Sequence, residues 1–310
     1  MRAYVGVTDH DWYTFLAARQ DLSEVNFWRP RDRRRFNAII PGELFFFKTH
    51  APESRIVGGG RLTGWELLPL SAAWEFYGPA NGAATLEDLR ALIGGRNGLR
   101  AGEDPEIGCI LLDDVTFFAP GTSMALPPGL WSSGIQQGKS FELTEQPYAP
   151  FFDVLTTRVL TGEVEIDFGD PSWKHVGPMF RQRIQNVRLG QGAFQARVLN
   201  AYHRECAITS TKIWPALHAA HIRPVTKGGE HRVDNGLLLR SDVHTMFDLG
   251  YLAVDPSYRL QVSPRLRDQF GNGEQFYAKA GQLIALPDRK ADRPQREFLE
   301  WHLDTVFKAS

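Results

Sequence analysis

The stretch from Leu217 to Gly250, LHAAHIRPVTKGGEHRVDNGLLLRSDVHTMFDLG, constrains this chain more than any other. It reads as a short apolar strand ending near His221, a Gly-Gly loop, a second apolar strand entered through Asp-Asn-Gly, and a helix that follows Arg240. Three polar side chains punctuate it: His221, Asn235 and His244. An imidazole changes charge near neutrality and so serves as a general base. An amide at the entry to the second strand can tie the intervening loop to the backbone behind that base. His244 and Asp248 are four apart, project from one helix face and can share a metal. A mixed nitrogen and oxygen pair suits Mg²⁺, Mn²⁺ or another first-row divalent ion better than a structural zinc. Base, brace and cation are what in-line hydrolysis of a phosphodiester requires.

Each of these residues also has a plainer reading. A histidine near the end of an apolar strand is commonly a core or surface residue, Asn-Gly is commonly a turn, and His244 with Asp248 is an ordinary helix pair. The order and spacing of the three together favour the chemistry. Arg223, Lys227 and Arg232 lie in the loop between the strands and are candidates for phosphate contacts, with solvated loop charges as the equal alternative. His218 and His231 lie in the same region, and the sequence assigns them no chemistry.

The rest of the chain sets the bounds. A length of 310 residues predicts two domains, and 43% hydrophobic with 23% charged residues is a globular composition. The apolar runs are too short to span a membrane, and the N-terminus reads as a first strand. Cys109 and Cys206 form neither a disulfide framework nor a CxxC pair, so a reducing cytoplasm is expected. The net charge of −1 hides an asymmetry: residues 1–180 carry 16 Lys and Arg against 23 Asp and Glu, and residues 181–310 carry 19 against 13. A basic C-terminal part predicts a polyanionic partner, or a loop-rich surface solvated by arginine.

The first 145 residues predict a mixed α+β barrel-like domain. Strands are expected in AYVGVT, PGELFFFKT, SRIVGGGRLTGWELLP and EIGCILLDDVTFF. Helices are expected in DHDWYTFLAAR, SAAWEFYG and TLEDLRALIGG, with Asp9 or Asp11 capping the first and a threonine the last. Glycines and prolines break up 146–187, which reads as a joint containing at most one helix, in EQPYAPFFDVLTTRVL. The remainder, 188–310, opens on a helix with apolar Phe194, Val198, Leu199 and Tyr202 and contains the core motif, 217–250.

The residues from about Arg188 to Pro256, with AAHI–P, DNGLLL and HTMFD–G, resemble the HNH (ββα-metal) nuclease domain, closest to the branch found in predicted restriction endonucleases. The resemblance implies that His221 is the general base, Asn235 the loop-bracing residue, and His244 with Asp248 the metal face. It departs from the pattern twice. Many such nucleases place Asp or His immediately before the base, where this chain has Ala220. Many are stapled by two CxxC zinc pairs, where this chain has only Cys206, so packing must replace the staple.

Upstream, Val25-Asn26-Phe27-Trp28-Arg29-Pro30 is followed by the Arg31–Arg35 run and by PGELFFFKTHAPESRIVGGGRL. Aromatics beside arginines suit stacking on a base with phosphates held nearby. Residues 1–118 resemble the EVE/YTH-like members of the PUA superfamily, whose small barrel holds a modified or extruded base. That resemblance implies a pocket of Trp28 and Asn26 with Trp12 or Trp74. For Trp12 and Trp74 a core role is the stronger alternative, and for Trp28 the two stand even. The expected whole is a modification-dependent, type IV-like restriction enzyme that cuts double-stranded DNA with a divalent metal, with a homodimer as one way to cut both strands. Two alternatives remain open: a nucleic-acid-binding protein with a degenerate nuclease half, and a nuclease gated by a nucleotide or RNA.

Overall fold

The computed structural model describes residues 2–19, 22–30, 33–97, 103–119, 121–161 and 190–309. The chain divides into two compact units, Met1–Gly190 and Gln191–Ser310. Among the described residues no helix is long and apolar enough to cross a membrane.

The first unit is built on β1 (Arg2–Thr8), β2 (Glu24–Arg29), β3 (Leu44–Thr49), β4 (Arg55–Pro69), β5 (Glu106–Phe117), β6 (Met124–Ala125) and β7 (Gly138–Glu142). Among the described residues these form one sheet in the order β2-β5-β4-β3-β1-β7, with β6 beside β4. β1 runs parallel to β3, and the other neighbours are antiparallel. A barrel closes only when its two edge strands share a ladder. Here β2 and β7 are the two ends of the path, so the sheet is open where a barrel was expected. Short β7 and the strand at Asn26–Trp28 were not anticipated as strands.

All six residues of β3 are buried, because both faces of the sheet are covered. On one face Phe45 and Phe47 meet Phe27, and Phe47 meets Trp12, with ring centroids 4.8–6.3 Å apart. On the other, Leu44 and Phe46 pack with Phe152, Leu155 and Val159. Those three lie on α4 (Ala149–Thr161), spaced to share one helix side. The expected joint at 146–187 therefore begins with a helix that belongs to the first unit's core; 162–187 lie outside the described residues, as do Arg31 and Asp32. Helices α1 (His10–Ala17), α2 (Leu70–Tyr77) and α3 (Leu86–Asn97) complete the unit. Asp9 occupies the N-cap position of α1, where its carboxylate makes no capping hydrogen bond and instead faces His50 Nε2 at 3.4 Å. Thr85 and Asp88 form a reciprocal capping box before α3, each side chain accepting the other's backbone N–H at 3.1 Å.

The second unit runs α5 (Gln191–Ala201), β8 (Leu217–His221), β9 (Gly236–Arg240), α6 (Ser241–Asp248), β10 (Leu252–Val254), β11 (Leu260–Val262), α7 (Arg265–Phe270), α8 (Glu274–Tyr277) and α9 (Arg296–Thr305). β8 and β9 form an antiparallel pair in which His221 faces Gly236. α6 packs on both strands, and α5 packs on them as well. Gly236 permits that approach: a Cβ there would stand 2.8 Å from Val198 and 3.0 Å from the Phe194 ring. The missing zinc staple has a substitute in Cys206. Its buried sulfur accepts the backbone N–H of Thr209 at 3.4 Å and of Arg240 at 3.3 Å, joining the 206–211 turn to the start of α6.

Candidate active site

β8 ends at His221, and the chain then leaves the sheet in a loop that returns at Asn235. The fully buried Asn235 amide donates to the carbonyls of Arg223 (2.9 Å) and Glu230 (3.0 Å) and accepts the Arg223 N–H (2.9 Å). One side chain therefore joins both legs of the loop to the strand beside His221. Gly229 lies under this brace, and a Cβ there would stand 2.9 Å from the Asn235 amide nitrogen.

The His221 ring is held on two sides. Phe194 of α5 stacks on its face, with centroids 4.0 Å apart and planes 12° from parallel. Its Nε2 lies 3.1 Å from Nδ1 of His231. Burial pushes His221 down to about 4, and the His231 and His244 rings nearby act in the same direction. The ring is thereby biased towards its neutral form, which has one nitrogen lone pair, and the His231 contact decides whether that lone pair is free.

α6 buries Val243 and Phe247 and turns His244 and Asp248 away from that face. His244 Nε2 and Asp248 Oδ2 are 3.3 Å apart. Burial lowers the His244 pKa and raises that of Asp248, so each is biased towards its neutral form. Two donors about 2.1 Å from one ion and at right angles lie about 3 Å apart, so this pair fits adjacent positions around a divalent cation. Ala220 is fully buried and supplies no donor. Among the described residues no group of three His, Cys, Asp or Glu side chains is placed to hold an ion. His218 lies beside this face, its ring 5.8 Å from that of His244 and its Nε2 3.4 Å from Ser241 Oγ.

Behind α6, the His302 ring of α9 stacks on Phe247 with centroids 3.8 Å apart, and its Nε2–H donates to the Phe247 carbonyl at 3.1 Å. Among the loop cations, Lys227 is exposed. Arg223 donates to the Lys227 carbonyl at 2.8 Å and lies over the Trp301 ring. Arg232 is held by a two-pronged pair with Asp234, at 2.9 and 2.6 Å.

In the first unit, a cavity of about 830 Å³ is lined by Trp12, Phe27, Trp28, Arg29, His50, Gln136 and Gln137 among others. It contains two of the four residues expected in a base pocket. Asn26 and Trp74 do not line it. Asn26 and Trp28 share a face of β2, and the turn at Gly78–Asn81 covers that face. Asn26 is fully buried and donates to Asn81 Oδ1 at 2.9 Å and Cys109 Sγ at 3.2 Å. Trp28, 8% exposed at the strand end, donates its indole N–H to the Asn81 carbonyl at 2.7 Å.

His231 and the stacking role of Phe194 were not foreseen from the sequence. The available signal was a histidine next to Glu230, one residue beyond the Gly-Gly turn that folds the loop back on itself.

The comparisons with known proteins place this geometry. Residues 206–255 match the HNH endonuclease family. No curated protein matches the chain. Two solved structures are distantly similar. A mutant form of ZmASCH from Zymomonas mobilis shows 13% identity and a TM-score of 0.25, over 36% of this chain and 69% of that one. The modification-dependent TagI restriction endonuclease shows 12% identity and a TM-score of 0.27, over 93% of this chain and 77% of that one. Scores this low leave the functional argument to the family match and the site. Residues 206–255 are an HNH endonuclease domain, and the chain that carries them is a nuclease.

Proposed function

We propose that the protein is a modification-dependent, type IV-like DNA endonuclease, with His221 as the general base and Asn235 as the brace of its loop. The observation that carries the catalytic half is the clamped His221 ring at the end of a strand packed against the helix that bears His244 and Asp248. His221 takes a proton from water, the water oxygen bonds to phosphorus, and the bond from phosphorus to the sugar oxygen breaks; solvent supplies that oxygen's proton. A base near 4 is weak at neutral pH, but an incoming phosphate raises it by placing negative charge beside the imidazolium. His244 and Asp248 would hold a divalent cation, Mg²⁺, Mn²⁺ or another first-row ion, which stabilises charge on the phosphate and leaving oxygen. These are two protein donors, and water and the substrate would supply any others. Exposed Lys227, with Arg223 beside it, is suited to a phosphate contact, whereas the Arg232 charge is already matched by Asp234.

The cavity of the first unit supports the reading of a modified base. Its aromatic wall, Trp12, Phe27 and Trp28, suits a stacked ring, and Gln136 and Gln137 supply amides for its edge. Matched plasmids with and without modified cytosine, incubated with Mg²⁺ or Mn²⁺, test the proposal. Cleavage confined to the modified plasmid is expected. Equal cleavage of both would remove modification dependence, and no cleavage of either would remove the catalytic reading.

A further inference from the structure

His231 reaches the one ring of the site whose protonation state decides whether it can act. It is half-buried in the loop between β8 and β9, and its Nδ1 lies 3.1 Å from Nε2 of His221 with the ring planes 63° apart. The loop fixes this placement on both sides. The Glu230 carbonyl accepts from the Asn235 amide at 3.0 Å and from the Arg232 N–H at 2.8 Å, and the Arg232 guanidinium is pinned to Asp234. The contact is therefore built into the loop.

A bond between two imidazole nitrogens needs one donor and one acceptor, which allows two arrangements. If His231 donates, His221 accepts at Nε2, carries its single proton on Nδ1 and has no lone pair left for water. If His221 donates from Nε2, its Nδ1 is a free acceptor. Only the second arrangement leaves a base.

We propose that His231 is a positioning residue: as acceptor it holds His221 in the Nε2–H tautomer, so that Nδ1 is the atom that takes the proton of the attacking water. This rests on the reading of His221 as the base. Phe194 fixes the plane of the ring and His231 fixes its rotation within that plane.

The test uses the full chain labelled with ¹⁵N-histidine, read by two-bond ¹⁵N–¹H spectra at neutral pH, together with plasmid cleavage and thermal melts. The wild type is expected to show His221 as the Nε2–H tautomer. His231→Ala is expected to give a tautomer mixture and to lower kcat between about tenfold and a thousandfold, with KM and melting temperature little changed. His231→Asn, whose side-chain oxygen can accept at the same place, is expected to recover both the tautomer and most of the rate. An Nδ1–H tautomer in the wild type would overturn the inference. So would wild-type cleavage by His231→Ala beside an inactive His221→Ala. Retained cleavage by His221→Ala would overturn the base reading itself.

Discussion

Phe194 lies flat against His221, ring on ring, 4.0 Å between centroids. The contact joins the first helix of the second unit to the last residue of β8, and Gly236 makes room for it. Removing the aromatic face while keeping an apolar side chain separates packing from orientation. Phe194→Leu is expected to cost about 1–2 kcal/mol in a urea titration. In cleavage assays it is expected to lower kcat at least about tenfold, since a catalytic group that swings loses its near-attack geometry. An unchanged kcat would show that His221 is oriented without Phe194.

Asn235 makes three hydrogen bonds with no exposure to water. Asn235→Ala leaves the Arg223 carbonyl and N–H without this partner and the Glu230 carbonyl with only the Arg232 N–H, so at about 1–3 kcal/mol for each orphaned group about 3 kcal/mol in all is expected. Asn235→Asp keeps the shape but points an acceptor at two carbonyls. It is expected to match the alanine variant in stability or fall below it, and to lose cleavage entirely. Chemical denaturation of the three proteins ranks them. A stable Asn235→Asp protein would mean the loop is held elsewhere.

The strand, turn and helix of 217–250 were legible because each depends on local spacing: apolar residues up to His221, Asp-Asn-Gly before β9, and i,i+4 placement of His244 and Asp248. His231 was not, because its role depends on how the fourteen residues 222–235 between β8 and β9 fold back, which no periodicity encodes. The lining of the cavity was legible only in part, with Trp28 on it and Asn26 off it, for a related reason. Period-2 alternation puts Asn26 and Trp28 on one face correctly, but only the path of the Gly78–Asn81 turn shows that this face is covered. The open sheet has the same origin, since closure is decided by whether two distant edges meet and not by the strands themselves.

Cys206 predicts how the second unit responds to chelation. Its sulfur is a hydrogen-bond acceptor for two backbone N–H groups within a packed turn. Folding is therefore expected not to depend on a metal staple, unlike that of domains whose metal affinity is their folding energy. EDTA is expected to abolish cleavage while leaving the melting temperature of the full chain unchanged, and added Mg²⁺ or Mn²⁺ should restore the activity. Loss of structure in EDTA would reverse this assignment. Cys206→Ala is expected to cost about 1–2 kcal/mol, because two half-buried N–H groups lose their acceptor.

His302 gives the second unit an acid-sensitive joint. Its ring is 2% exposed, stacked on Phe247 and hydrogen-bonded through Nε2, and burial pushes it from 6.5 down to about 4. The unfolded chain therefore takes up the proton first. The stability this group contributes is complete above about pH 6.5, is lost progressively as pH falls towards 4, and levels off below. That displacement corresponds to about 3 kcal/mol. His221 carries a shift of the same sign, so the wild-type slope contains both. His302→Phe keeps an aromatic ring against Phe247 but removes the titration and one hydrogen bond. At pH 7 it is expected to be less stable by about 1 kcal/mol. Between pH 6.5 and 4 it should lose less stability than the wild type. Amide exchange at Leu252 and Val254, in the strand that α9 packs against, reads this unit within the full chain. Parallel pH profiles for the two proteins would show that His302 accepts its proton without unfolding the joint.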